Sequence, residues 1–305
     1  MESKIPKRKN VPPVTLLSDY KKMKSKFTHK SSNNVRDISS HIKKYKKKFF
    51  SFELLQSSSL EKYRKRFLYN QSYTSNTSSA AAVCGAIRLM SSFWNNDQKV
   101  KPGTPSIFYS YFYQRFLFNE VENESFGGPL EAAAYAAKYI GICSENKWPS
   151  TDTTKITEYP GPLTGASAYN HRIDNYYMIP NDVDLLDTIK LCITLGFPVC
   201  IAIVIDDKFF DLGENGIVTI PTSSKGEVWA MYITEYDDAN NGYFTCVNSI
   251  GNYWGDAGVC YIPYKYLTTK ITIPAVQGTA TSPVIPSYSD PLLIEAMVMF
   301  PLIGV

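Results

Sequence analysis

Gln71-Ser-Tyr-Thr-Ser-Asn-Thr77-Ser-Ser-Ala-Ala81, continuing Ala-Val-Cys-Gly-Ala-Ile-Arg-Leu-Met-Ser-Ser92, is the stretch from which the fold is read. Residues 78–92 are rich in Ala and carry no charge except Arg88, the composition of a helix buried on most of its faces. Residues 63–69 read as a strand entering the Gln71 loop. Thr77, Ser78 and Ser79 supply hydroxyls suited to capping that helix. Such a helix start could instead hold an anion or a peptide carboxylate, but the plain cap is favoured.

Working outward, the chain divides into a helical half and a sheet half. Residues 105–116 read as a second helix, although their aromatics would equally suit a strand. Gly127-Gly128 open an Ala-rich helical run to Lys138, followed by Cys143-Ser-Glu-Asn-Lys-Trp-Pro149. From residue 170 the pattern becomes β, with segments 175–179, 197–204, 228–236, 242–247 and 259–262 and one helix near 183–195. Two further motifs fall among these strands: Tyr236-Asp237-Asp238, and Asn248-Ser-Ile-Gly-Asn-Tyr-Trp-Gly-Asp-Ala-Gly258.

Taken together these stretches resemble the papain-like cysteine peptidases in their compact, cathepsin-like form, over roughly residues 60–267. The first resembles the family's Gln-x5-Cys segment and the last its Asn-Ser-Trp-Gly-x-x-Trp-Gly-x-x-Gly. Tyr236-Asp237-Asp238 resembles the end of the His-bearing strand. The resemblance implies an α+β, two-lobed fold: a helical lobe over about 70–168 and a β-barrel-like lobe over about 169–267, within a domain spanning 49–267. It also implies roles. Gln71 stands where the family has an oxyanion donor, Asn248 where it has the residue orienting the catalytic His, and Gly127 and Gly128 where a glycine pair lines the substrate cleft. Thr77 stands in place of the nucleophilic Cys and Trp229 in place of His.

That pair of replacements removes the chemistry. A thiolate forms at low cost beside an imidazolium. A Thr hydroxyl is far less acidic and needs a base, whereas an indole donates one N–H and accepts no proton. Losing members of such a unit costs about 10³ to 10⁶ in rate. Trp229 is expected to fill the old cleft, packing against Trp254. No other constellation replaces the dyad. Cys84 lies seven residues beyond Thr77, about 10 Å along the helix and inside the core. His29 and His41 lie in a basic arm, and His171 has no nucleophile motif beside it. Asp206-Asp207 and Asp237-Asp238 read as turn residues, and no phosphate loop or metal spacing is present.

Composition sets the remaining expectations. The net charge of +4 is uneven: residues 1–50 carry 15 Lys and Arg against 3 Asp and Glu, leaving 17 against 25 for the rest. The Lys cluster Lys43, Lys44, Lys46, Lys47 and Lys48 is the candidate contact to nucleic acid, an anionic membrane or an acidic protein, against a merely solvated tail. A short helix over about 37–50 is possible, capped by Asp37. Residues 1–48 are read as a basic arm. Residues 268–305 are read as a C-terminal extension whose apolar end must be buried on its own body or on a neighbour. The six cysteines show no CxxC pair and read as reduced core thiols. With no apolar run behind the N-terminal charges and none of eighteen residues anywhere, the expectation is a chain neither secreted nor membrane-spanning.

The leading functional expectation is a catalytically dead domain used as a structural part. Its partners would be protein neighbours in a large assembly, with no cofactor, no metal and no small-molecule substrate. Compact papain-like proteins without a signal peptide occur in large DNA viruses, so the resemblance implies a minor capsid or virion protein, or otherwise a cytoplasmic one. A peptide-binding module using the vestigial cleft and an anchor acting through the basic arm are the alternatives. An active hydrolase ranks last.

Overall fold

The computed structural model describes residues 14–31, 56–61, 69, 75–94, 103–169, 171–222, 226–273 and 288–301. Gln71, the Lys43–Lys48 cluster, the strand expected over 63–69 except Tyr69, and the helix expected over 37–50 lie outside these residues.

The architecture is mixed helix and antiparallel sheet. Helix α2 (Ser78–Trp94) follows Thr77, with Ala80, Val83, Cys84 and Ala86 completely buried. Small side chains let it lie flush against the sheet. α3 (Ile107–Phe116) is a helix and not a strand, because Ser106 caps it by accepting from the Tyr109 N–H. Its aromatics then bury on several faces at once, against Trp148 and Tyr159 among others. α4 (Leu130–Tyr139) packs its alanines on α2 and α3. Two further helices, α5 (Pro162–Tyr169) and α6 (Leu185–Thr194), flank the sheet strands, and only α6 is foreseen by the sequence pattern.

The main sheet is built on β3 (Ile173–Met178), β4 (Val199–Ile205), β5 (Glu227–Asp237), β6 (Tyr243–Val247), β7 (Val259–Pro263) and a last strand, β10 (Leu293–Pro301). Its order is β3-β10-β4-β5-β6-β7, antiparallel throughout. A short helix, α7 (Tyr264–Thr268), and a separate two-stranded ribbon of β8 (Lys270–Ile273) and β9 (Tyr288–Pro291) connect β7 to β10.

Two boundaries drawn from the sequence are corrected. Residues 293–301 are no extension: β10 lies between β3 and β4, Ala296 to Phe300 are at most 2% exposed, and Phe300 packs on Phe197 and Tyr177. A run this apolar is stable only with both faces covered, which an interior strand provides. Nor are residues 14–31 a solvated arm. They form a short strand, β1 (Thr15–Leu16), and a helix, α1 (Leu17–Ser31), with Leu17 and Tyr20 in the core. β1 pairs with the start of β5, and β2 (Ser57–Ser59) pairs with its end.

Among the described residues no helix is long and apolar enough to cross a membrane.

Candidate functional site

Among the described residues, Thr77 lies at the start of α2, Trp229 in β5 and Asn248 in the loop after β6, and α2 packs on β5. Thr77 precedes α2, and its carbonyl accepts the first helical N–H, from Ala81, at 2.8 Å. The side chain is fully buried and its hydroxyl has no hydrogen-bond partner among the described residues. A buried hydroxyl without a base beside it has no route to an alkoxide, since burial favours the neutral form.

Trp229 sits in β5, completely buried. Its indole Nε1–H donates to Asn248 Oδ1 at 3.0 Å. The same Oδ1 accepts from the Ser249 N–H at 2.7 Å, while Asn248 Nδ2 is buried with no partner among the described residues. Asn248 therefore acts as an acceptor for a ring N–H from β5, and the ring that donates has no second nitrogen to take up a proton. The expected packing of Trp229 on Trp254 is indirect. Phe209 lies between them, with ring centroids 5.0 Å from Trp254 and 6.4 Å from Trp229, and Phe210 meets Trp229 edge-on at 5.2 Å. The Trp254 indole donates to the Phe209 carbonyl at 2.9 Å, which fixes that wedge.

None of the thiols is placed as an activated nucleophile. All six thiols are free and buried. Burial pushes Cys84 well up from the ordinary thiol range and raises Cys143 and Cys192 to about 12. Each therefore stays a thiol at neutral pH. His171 is bonded through Nδ1 to the Ser167 carbonyl and is remote in sequence and element from Thr77. No cluster of metal-ligating side chains exists among the described residues.

Beside this site lies a segment the sequence did not point to. β1 runs antiparallel to β5 with Thr15 opposite Val228 and Leu16 opposite Glu227, immediately before Trp229. From the other side, Asn76 Nδ2 donates to Thr15 Oγ1 at 2.7 Å, and that hydroxyl donates to the Gly127 carbonyl at 3.3 Å. Residues 15–16 thus bridge Gly127 and Asn76, just before α2, to β5. Gly127 must be glycine for this. A Cβ there would stand 1.8 Å from Thr15 Oγ1 and 2.4 Å from Asn76 Nδ2. Gly128 is held closely in a different way, against Gln114 Cγ at 2.7 Å from the position of a Cβ.

A second missed element holds the segment down. Glu295, in β10, has a fully buried carboxylate. It accepts from the Tyr20 hydroxyl and, at 3.0 Å, from the Leu130 N–H at the start of α4, and lies 3.6 Å from Lys24 Nζ. Burial and then the neighbouring Glu295 charge drive the Tyr20 phenol far above its ordinary range, so it stays a donor. One glutamate inside the apolar run 292–300 was the available signal, since a buried carboxylate demands partners.

The helices packed on an antiparallel sheet, with Thr77 at the start of α2 and Asn248 after β6, have the fold of the papain-like cysteine proteases. Among solved structures the chain is similar to xylellain, a cysteine protease from Xylella fastidiosa, with a TM-score of 0.63 and 19% identity over 82% of this chain and 87% of that one. It is also similar to digestive procathepsin L 3 of the Tenebrio molitor larval midgut, with a TM-score of 0.56 and 17% identity over 70% of this chain and 65% of that one. No family model and no curated protein sequence matches the chain.

Proposed function

We propose that this chain is a papain-like pseudoprotease: it keeps the two-lobed peptidase frame without the catalytic dyad and serves as a structural or assembly component. The hydrogen bond from Trp229 Nε1–H to Asn248 Oδ1 carries the reading. It occupies the acceptor that would orient a base, using a ring that is not one, while Thr77 is buried and its hydroxyl has no partner among the described residues. Thr15 and Leu16 add support, since they lie between Asn76, next to Thr77, and the strand that carries Trp229.

The setting proposed is a minor capsid or virion protein. It rests on the resemblance of the sequence motifs to compact papain-like proteins of large DNA viruses and on the basic residues 1–50, which suit an acidic neighbour. A second reading, a peptide-binding module, draws support from β1 itself, an extended segment added to β5 beside Gly127. An anchor to nucleic acid or membrane through Lys43, Lys44, Lys46, Lys47 and Lys48 would appear as binding that weakens steeply with salt.

Affinity capture from the native source, with the full chain and with a full-length variant in which Lys43, Lys44, Lys46, Lys47 and Lys48 are changed to Ser, separates these readings. Shell or scaffold proteins held by the native chain and lost by the variant support the assembly role. A peptide ligand held equally by both chains overturns it in favour of the binding module.

A further inference from the structure

The body of this protein is incomplete without a copy of residues 14–31, and nothing in the contacts requires that copy to be its own. The buried Glu295 carboxylate makes the point. Two of its three polar neighbours, the Tyr20 hydroxyl and Lys24 Nζ, come from α1, and only the Leu130 N–H belongs to the body. Lys24 Nζ also donates to the Ile294 carbonyl at 3.2 Å, and Lys21 is paired with Asp290. Leu17 and Tyr20 bury beneath these polar contacts, and the Leu17 N–H donates to the Gly226 carbonyl at 2.5 Å. Stripped of α1, the body would hold a carboxylate in an apolar setting with most of its partners gone, a costly state.

The element that satisfies it is self-contained. Residues 14–31 carry five lysines and one aspartate and face Asp290 and Glu295 on a body that is net acidic. They dock as a two-residue strand and one helix, and they rejoin the sheet only at β2, at the far end of β5. Residues 32–55 join the two. That length of chain spans at most ~80 Å when extended, against roughly 30 Å for β5 itself, so it reaches a neighbouring body as well as its own.

We propose that residues 14–31 are exchanged between copies of this chain, each body taking the β1–α1 segment of its neighbour. Thr15 of one copy then closes the vestigial cleft of the next, on Asn76 and Gly127, and Tyr20 and Lys24 neutralise its Glu295. The contacts are identical within one chain and between two, so concentration decides which is populated. Exchange prevails when the local concentration of copies exceeds the effective concentration set by the connecting residues. Close packing in an assembly provides that condition. This rests on the assembly reading and names the contact that links its units.

Full-length light and isotopically heavy chains, unfolded together, refolded and concentrated, provide the test. A zero-length carbodiimide is used to join Lys21 to Asp290, and the cross-linked peptides are weighed. The proposal predicts light–heavy pairs whose share rises with protein concentration and which disappear with Lys21→Met. Light–light and heavy–heavy pairs alone at every concentration, or no Lys21–Asp290 product at all, would overturn it. Either failure leaves the loss of catalysis untouched, because that is read from peptide turnover. As a second readout, Lys21→Asp and Asp290→Lys chains should form a dimer by light scattering when mixed, each supplying the other's missing partner. Two monomeric species persisting in the mixture would also count against exchange.

Discussion

At the scale of single residues, position 229 determines what position 248 can do. With an indole as donor, Asn248 Oδ1 is satisfied and the pair becomes a structural tie between β5 and the loop after β6. Asn248→Ala should therefore cost about 1–3 kcal/mol in urea unfolding, because it strands a fully buried N–H. Thiol chemistry gives an independent check on the interior. All six cysteines are buried, and Cys143 and Cys192 are raised to about 12 chiefly by that burial. A maleimide at neutral pH should label none of them in the native protein and all six in denaturant. Thr77, Trp229 and Asn248 could be named from motif spacing because spacing along the chain survives without knowledge of the fold. Thr15 and Glu295 could not. Their meaning lies in contacts 61 and 112 residues apart for Thr15 and 275 for Glu295, which no local pattern encodes.

At the scale of elements, β10 shows where pattern reading stops. Its run of apolar residues announces burial but not a partner, and order in a sheet is not written in the strand's own sequence. The strand between β3 and β4 is the one most distant from them along the chain. Phe300→Ala, which empties a site packed by Phe197 and Tyr177, should lower stability by about 3–5 kcal/mol in chemical denaturation. A residue on a dispensable tail would show almost no change. α2 was legible for the opposite reason: its alanines and lone arginine specify a buried helix whatever packs on it. α3 was ambiguous in composition, and the Ser106 cap, a single hydroxyl, settles it as a helix.

At the scale of the whole molecule, helices and sheet are held together by polar groups as well as by the core, and a half-buried one makes stability depend on pH. Burial raises the Glu145 carboxyl above its usual range, although the Ser150 N–H and hydroxyl, at 2.5 and 2.9 Å, oppose the shift. A raised carboxyl binds its proton more tightly folded than unfolded. Its stabilising contribution is present below the unfolded value and lost as pH rises through the folded one. Relative to Glu145→Gln, the native chain should therefore lose stability as pH rises from the ordinary glutamate range, about 4.3, through the raised folded value, as read from urea midpoints. A gap independent of pH would show that Glu145 titrates normally.

The central claim, a papain-like frame without the chemistry, is tested most directly by turnover. Purified full-length protein is incubated with a broad panel of fluorogenic peptides, beside Thr77→Ala. The account predicts no cleavage above the buffer rate for either protein, since Trp229 offers no proton acceptor and Thr77 has no base. Peptide cleavage by the native chain that disappears in Thr77→Ala would contradict it.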